Sequence, residues 1–386
     1  MIESFSILQS AIDDYPYLRP HRIAIGLYEE QNGKIVRTER IELDVEGAKT
    51  QVPGLAGKKR PALILLNDDD LTYAKIRMDE SSWSFALDKL SSIEDPLARA
   101  LVWGSAWDAT RDGETSPRDF IKLALRHIEF ETESTTMLTI LRQLLTVANL
   151  YVAEPNRSTE QLALADGLWA LAQNSKAGSD AQLQFVKFFA QFAKSEKQLA
   201  TVSDLLHGNT KLASLAIDTD LRWELVTALA VGGKMSVEQL DQELAADNTA
   251  NGQKYHVAAV AALPDNSSKQ AMFTKLVATD ELSNALVNSA SLAFGRVLNP
   301  EVLQVFVAQY FANVLKIWEE KTYHMAEYLL VNLYPLALAN AALVAETKDF
   351  LAKPDIQSKP ALRRILIENL ANVERALSAQ QRDAKN

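Results

Sequence analysis

The chain has 386 residues, 47% hydrophobic and 23% charged, with a formal net charge of −10. Ordinary globular composition over this length predicts two or three domains at roughly 100–200 residues each. The acidity excludes a surface built to track phosphates, so no nucleic-acid partner is expected.

The chain contains no cysteine. That excludes disulfides, thiol nucleophiles and thiolate-bound zinc, and makes the cytoplasm the natural compartment. No uninterrupted apolar run reaches the roughly 18 residues of a membrane span. The opening MIESFSILQSAIDDY lacks the basic and apolar regions of a signal peptide, so neither membrane nor export is expected.

Residues 1–79 read as a β domain. Phe5 to Gln9 is the first candidate strand. Arg22 to Glu29 alternates Ile23, Ile25 and Leu27, and Asn32-Gly33 follows. That pair marks a two-residue hairpin turn, because both central residues need positive φ. Lys34 to Val45 returns with Ile41, Leu43 and Val45 on one face. Thr50 to Val52 stops at Pro53-Gly54, Ala62 to Leu66 has the continuous apolar pattern of a buried strand, and Leu71 to Met78 alternates once more. These short strands predict a small antiparallel sandwich.

From Ser81 the period becomes helical, as in Leu138, Leu141, Leu145, Ala148 and Val152, and residues 80–386 read as a large α-helical domain. Ser116-Pro117, Ser158 and Asn299-Pro300 are expected helix starts, with proline at the first helical position in two of them. Ala177-Gly178, Gly208-Asn209, Gly232-Gly233 and Pro264-Asp265 are expected breaks. About sixteen helices result, the later ones in pairs of roughly 30 to 45 residues without a strict repeat. A superhelical solenoid of the HEAT or armadillo kind fits this loose period. A compact, non-solenoid helical domain fits it too.

The most chemical-looking stretch is LNDDDLTYAKIRMDE, residues 66–80. A calcium loop counted from Asp68 needs glycine at its sixth position and glutamate at its twelfth, where this chain has Tyr73 and Asp79. Adjacent carboxylates on an extended chain also point to opposite sides. Asn67, Asp68, Asp69 and Asp70 therefore predict a turn between two strands.

Elsewhere, the five histidines His21, His127, His207, His256 and His324 never fall four apart on a helix face. His324 and Glu327 alone do not make a zinc site, which needs three protein ligands. No phosphate-cradling glycine loop or nucleophile elbow appears. Asp218-Thr219-Asp220 before LRWEL predicts helix N-capping. Trp103 with Trp107, and Phe185, Phe188, Phe189 and Phe192, predict core packing at helical spacing. For Tyr310, Phe311, Trp318, Tyr323 and Tyr328 a peptide-binding concave face stands beside the core reading. No catalytic, cofactor-binding or metal-binding residue is expected in this chain.

A family resemblance rests on YPYLRPHRIAIGLYE, VPGLAG, LILLNDDDLTYAKIRMDE and WGSAWDATRDGE in this order, with DTDLRWELVTALAVGG and LDQELAADNTANGQ beyond them. The set resembles the C-terminal region of M1-family zinc aminopeptidases of the aminopeptidase N type, bacterial and actinobacterial in style. The resemblance implies a small β-sandwich followed by the helical C-terminal domain. It also implies a parent enzyme that removes N-terminal amino acids from peptides. The family's His-Glu-x-x-His zinc helix, ligand glutamate, Gly-x-Met-Glu-Asn motif and transition-state tyrosine have no counterpart here. Zinc would thus belong to a catalytic domain outside this sequence, and Met1 is expected to be an artificial start with the sandwich incomplete.

The implied partners are the catalytic and N-terminal domains of the same polypeptide and the peptide substrate. The implied role is to cap the active-site chamber and limit access. The competing readings are a stand-alone α-solenoid that binds peptides or proteins, and an unrelated hydrolase. A cut surface or an exposed strand edge predicts artefactual oligomers.

Overall fold

The computed structural model describes residues 1–385 and divides into two compact units, Met1–Leu144 and Leu145–Asn386. It is mainly α-helical with a small antiparallel β part at the start of the chain.

The first unit opens with β1 (Ser6–Leu8), β2 (His21–Gln31), β3 (Lys34–Val45), β4 (Lys49–Gln51) and β5 (Leu63–Leu66). β1 pairs with β4, and β2 lies between β3 and β5, every pairing antiparallel. Asn32 and Gly33 take φ of 53° and 78°, which makes the turn between β2 and β3 the one their sequence predicts. One apolar cluster joins Ile7 of β1, Ile23, Ile25 and Leu27 of β2, Val45 of β3 and Ile64 of β5, with Val52 and Leu55 between them. The two small sheets thus share a core, because period-two alternation puts one face of each strand inward.

The expected strand at Leu71 to Met78 is absent. The segment is in no sheet, and Tyr73 is fully exposed. It runs along α2 (Pro96–Arg111), which follows α1 (Glu80–Lys89). Lys75 pairs with Asp112 at 2.6 Å, Arg77 pairs with Glu114 at 2.5 Å, and Ser105 Oγ donates to Ile76 O at 2.9 Å. Alternation describes an extended chain. It does not say that another strand lies beside it to complete a ladder.

Asp79 caps α1, accepting from the backbone N–H of Ser81 and Ser82. α3 (Pro117–His127) starts at Ser116-Pro117 as expected. α4 (Ser134–Thr146) crosses the division between the units and runs into a π-helical turn, Val147–Tyr151.

The second unit continues with α5 (Glu154–Asn174), α6 (Asp180–Phe192), α7 (Glu196–His207), α8 (Thr219–Val231), α9 (Val237–Ala246), α10 (Ala250–Ala262) and α11 (Asn266–Ala278). It ends with α12 (Asn284–Phe294), α13 (Gln304–Glu320), α14 (Tyr323–Asn332), α15 (Ala341–Leu351), α16 (Pro354–Gln357) and α17 (Pro360–Asp383). The described residues hold seventeen α-helices, against the sixteen or so expected. Asp218 caps α8 by accepting from Leu221 N–H, as its sequence predicts. Ser158 does not cap α5, which starts four residues earlier, at Glu154.

Packing in the second unit skips along the chain. α5 lies on α6, α6 on α8, α8 on α10, α10 on α12, α12 on α14 and α14 on α17. α17 then packs against the Val147–Tyr151 turn beside the start of α5. The last helix is therefore tied to the first elements of the unit. Gln380 Nε2 donates to Leu150 O at 2.7 Å, and Asp383 accepts from Ala153 N–H at 3.0 Å and Asn156 Nδ2 at 3.1 Å.

Candidate functional site

The acidic triplet forms a turn, and ion pairs occupy it. Asn67, Asp69 and Asp70 have φ of 56°, 66° and 54°, a left-handed conformation that Asn and Asp tolerate better than most residues. The Asn67 side chain closes the turn, donating to Thr72 O at 2.8 Å and accepting from Thr72 N–H at 3.1 Å.

Asp68 is buried, at 1% exposure. Its carboxylate accepts from Tyr28 Oη at 2.8 Å and from Arg37 at 2.7 Å. Arg37 also reaches Asp69 at 2.6 Å, and Arg40 holds the other oxygen of Asp69 at 2.7 Å. The bond from Arg37, then that from Arg40, holds the Asp69 carboxyl below its usual range. Burial, then the bond to Asp68, pushes the Tyr28 hydroxyl up. A Cβ on Gly26 would lie 2.3 Å from Asp68 Oδ2, so the missing side chain is what lets the carboxylate enter the sheet face. The Asp68 and Asp69 carboxylates are thus occupied by Arg37, Arg40 and Tyr28.

The five histidines lie apart, each with its own neighbour. His21 bonds Thr72 Oγ1 at 2.8 Å, His207 Nδ1 meets Ser203 O at 2.8 Å, and His256 pairs with Asp241 at 2.8 Å. His127 lies between Ser91 Oγ and Leu87 O, each at 3.0 Å, and burial lowers its pKa. The His324 ring sits against Tyr323. Among the described residues no group of three or more His, Asp or Glu side chains could hold a metal. The donors present do not fit the zinc that the resemblance implies.

Two buried charge clusters escaped the sequence reading. Glu131 accepts from Arg99 Nε at 3.2 Å and Trp103 Nε1 at 2.7 Å, while Arg99 also donates to Ile93 O and Glu94 O. Lys269 is fully buried; its ammonium donates to Ala261 O at 2.7 Å and Phe294 O at 2.6 Å and lies 4.8 Å from the Phe294 ring centroid. It caps the carboxyl ends of α10 and α12, where backbone carbonyls carry partial negative charge. A signal for both was present. Arg99 falls among Ala98, Val102, Trp103 and Ala106, and Lys269 precedes Met272, Phe273 and Leu276, so each cation sits on its helix's apolar stripe.

The aromatic stripes are core. Phe185, Phe188, Phe189 and Phe192 are buried, as are Tyr310 and Phe311. Trp103 and Trp107 both stand against Phe120. Tyr323 is exposed and stacks edge-on against Trp318, while Tyr328 is half-buried.

A groove of about 480 Å³ lies between α7 and α9, floored by Leu199, Leu206, Leu229 and Met235. Its rim charges are paired, Glu196 with Lys234 at 2.8 Å and Glu243 with Arg222 at 2.6 Å.

The family described as ERAP1-like C-terminal domain matches residues 63–375. The chain belongs to that family. Its match begins at the first residue of β5, takes in the acidic turn, and reaches into α17. The chain is also 37% identical over 391 aligned residues to aminopeptidase N of Streptomyces lividans. That alignment covers all of this chain and 45% of the relative, so the chain spans less than half of that protein's length. No helix among the described residues is long and apolar enough to cross a membrane.

Proposed function

We propose that this chain is the non-catalytic C-terminal portion of a zinc-dependent aminopeptidase N, in which it caps the active-site chamber and limits which peptides reach the zinc. The observation that carries this reading is the 37% identity to an aminopeptidase N along the whole chain. In this reading zinc and the peptide-cleaving groups belong to a catalytic domain of the same polypeptide. Residues 1–79 serve as a β domain and residues 80–386 as a HEAT- or armadillo-like domain, and the protein works in the cytoplasm. The packing of alternate helices, α6 on α8, α8 on α10, α10 on α12 and α12 on α14, supports the helical-repeat part.

The test compares the full-length polypeptide with a form lacking this region, measuring kcat/KM on aminoacyl anilides and on long peptides. Loss of the cap is expected to raise the relative rate on long peptides. An unchanged ratio in a folded, zinc-loaded enzyme would sink the capping role. A second reading, a stand-alone α-solenoid binding module, is favoured by the tie between α17 and the start of α5, since the second unit then encloses its own core. An in-frame His-Glu-x-x-His upstream of this chain in the gene would exclude it.

A further inference from the structure

An aspartate or asparagine before glycine brings two reactive groups together: a side-chain carbonyl carbon, and a backbone nitrogen with no neighbouring Cβ to crowd it. The chain has four such pairs, Asn32-Gly33, Asp112-Gly113, Asp166-Gly167 and Asn251-Gly252. The fold shields three of them. Gly252 is buried in the first turn of α10, and its N–H donates to Thr249 Oγ1 at 3.0 Å. Gly113 N–H donates to Thr110 O at 3.1 Å, and the Asp112 carboxylate accepts from Lys75 and Arg77, each at 2.6 Å. Gly167 lies inside α5, where its N–H belongs to the helix ladder, and Asp166 accepts from Gln198 at 2.8 Å.

Asn32-Gly33 differs at every point. The ladder between β2 and β3 ends on the pair Gln31 and Lys34, so both turn residues lie beyond it. Both are exposed, and nothing lies within 4 Å of where a Gly33 Cβ would sit. Among the described residues no acceptor takes the Gly33 N–H, and no partner holds the Asn32 side-chain amide.

We infer that Asn32 is a site of spontaneous deamidation, the one that the folded chain leaves open among these four pairs. The Gly33 nitrogen loses its proton to base and attacks Asn32 Cγ. The new N–Cγ bond forms, the Cγ–Nδ2 bond breaks, and Nδ2 leaves as ammonia, which gives a cyclic imide. Water then opens the ring at either carbonyl. One opening leaves an ordinary aspartyl link, and the other routes the backbone through Cγ as isoaspartate. Either product adds one negative charge to the formal −10. Isoaspartate also adds a backbone carbon to a turn whose two residues hold φ of 53° and 78°. That geometry is what closes a two-residue hairpin, so the Gln31–Lys34 end of the ladder loosens. Ile35, buried and accepting from Glu94 N–H at 3.0 Å, pins the strand just beyond.

The experiment incubates the folded full chain in warm, mildly alkaline buffer. Peptide mapping by mass spectrometry follows the conversion of amide to acid, and enzymatic methyl labelling counts isoaspartate at each pair. Residue 32 is expected to convert at least about tenfold faster than Asn251, because α10 must open locally before the Gly252 amide is free. In urea the two rates should converge, since each asparagine then precedes an unrestrained glycine. Asn32→Gly keeps residues suited to the two-residue turn and should remove most of the isoaspartate that the folded chain accumulates. Hydrogen exchange in the isoaspartate fraction should be faster at Gln31 and Lys34. Equal rates at residues 32 and 251 in the folded chain, conversion at residue 32 only after unfolding, or an unchanged isoaspartate yield in Asn32→Gly overturns the inference. The reaction needs this chain alone, so its failure leaves the aminopeptidase reading standing.

Discussion

In the first unit buried charge meets opposite charge: Asp68 faces Arg37, and Glu131 faces Arg99. In the second unit buried charge meets the ends of helices: Lys269 sits on the last carbonyls of α10 and α12, and Asp383 accepts the N–H that precedes α5. For Asp68 the difference follows from secondary structure, because sheets carry little net dipole and a charge buried beside one needs a side-chain partner; Glu131 and Arg99, on helical segments, pair directly as well. Helices expose aligned backbone groups at both ends, and an array of them supplies partial charges to any side chain that reaches those ends.

Removing one partner should hurt most where the partner is a full charge. Arg99→Met is expected to destabilise the first unit by about 3–5 kcal/mol, because Glu131 stays buried without its cation. The double variant Arg99→Met/Glu131→Leu should recover much of that. Hydrogen exchange should show the loss in α2 and around residues 128–131, with the second unit's protection retained. Equal losses in single and double variants would break the comparison.

Gly26→Ala probes the same principle through packing. A Cβ there meets Asp68 and Tyr28, and a cost of about 1–3 kcal/mol is expected from overpacking. A urea midpoint equal to that of the unaltered chain would mean that the turn carrying Asp68 yields freely.

Lys269→Met should cost less, about 1–2 kcal/mol, since losing two hydrogen bonds is offset by releasing a buried charge. Its pH dependence is the sharper readout. Burial pushes the Lys269 ammonium down from 10.5 to about 7. Between those values the unfolded chain holds more protons, so stability rises with pH across that window relative to the methionine variant. Parallel urea midpoints for the two proteins from pH 7 to 10 would show that the helix carbonyls keep the ammonium charged.

The smallest effect belongs to Asp69→Asn, below about 1 kcal/mol for a partly exposed pair. Arg37, then Arg40, holds the Asp69 carboxyl below its ordinary value of 3.8. Its contribution is therefore complete above that value and lost as pH falls through the lower folded one. Acid melts of the two chains should converge below that range and separate above it.

Local rules carried the reading wherever a residue's job is done by its neighbours in the chain. Asn32-Gly33 needed only positive φ, Asp218 needed only the N–H groups after it, and the Phe185 stripe needed only helical period. The rules failed where the partner is remote. Leu71 to Met78 has the alternation of a strand and no strand to pair with. Ser158 has the chemistry of a cap, yet α5 starts at Glu154 and the N–H before it is satisfied by Asp383, 230 residues later. The acidic triplet forms a turn, yet it joins β5 to a segment in no sheet and not to a second strand, and its buried partners Tyr28 and Arg37 are 40 and 31 residues away from Asp68.

By itself the amino-acid sequence determined the change from period two to helical period, the helix starts with a local cap, and the family resemblance in its ordered motifs. Each of these depends on backbone preferences and side-chain spacing within a few turns. Tertiary structure alone decided that α17 closes on the start of the helical unit and that Lys269 is buried on two helix ends. Those outcomes depend on which distant groups desolvate one another, and the electrostatic cost or gain of that appears only once water has been excluded between them.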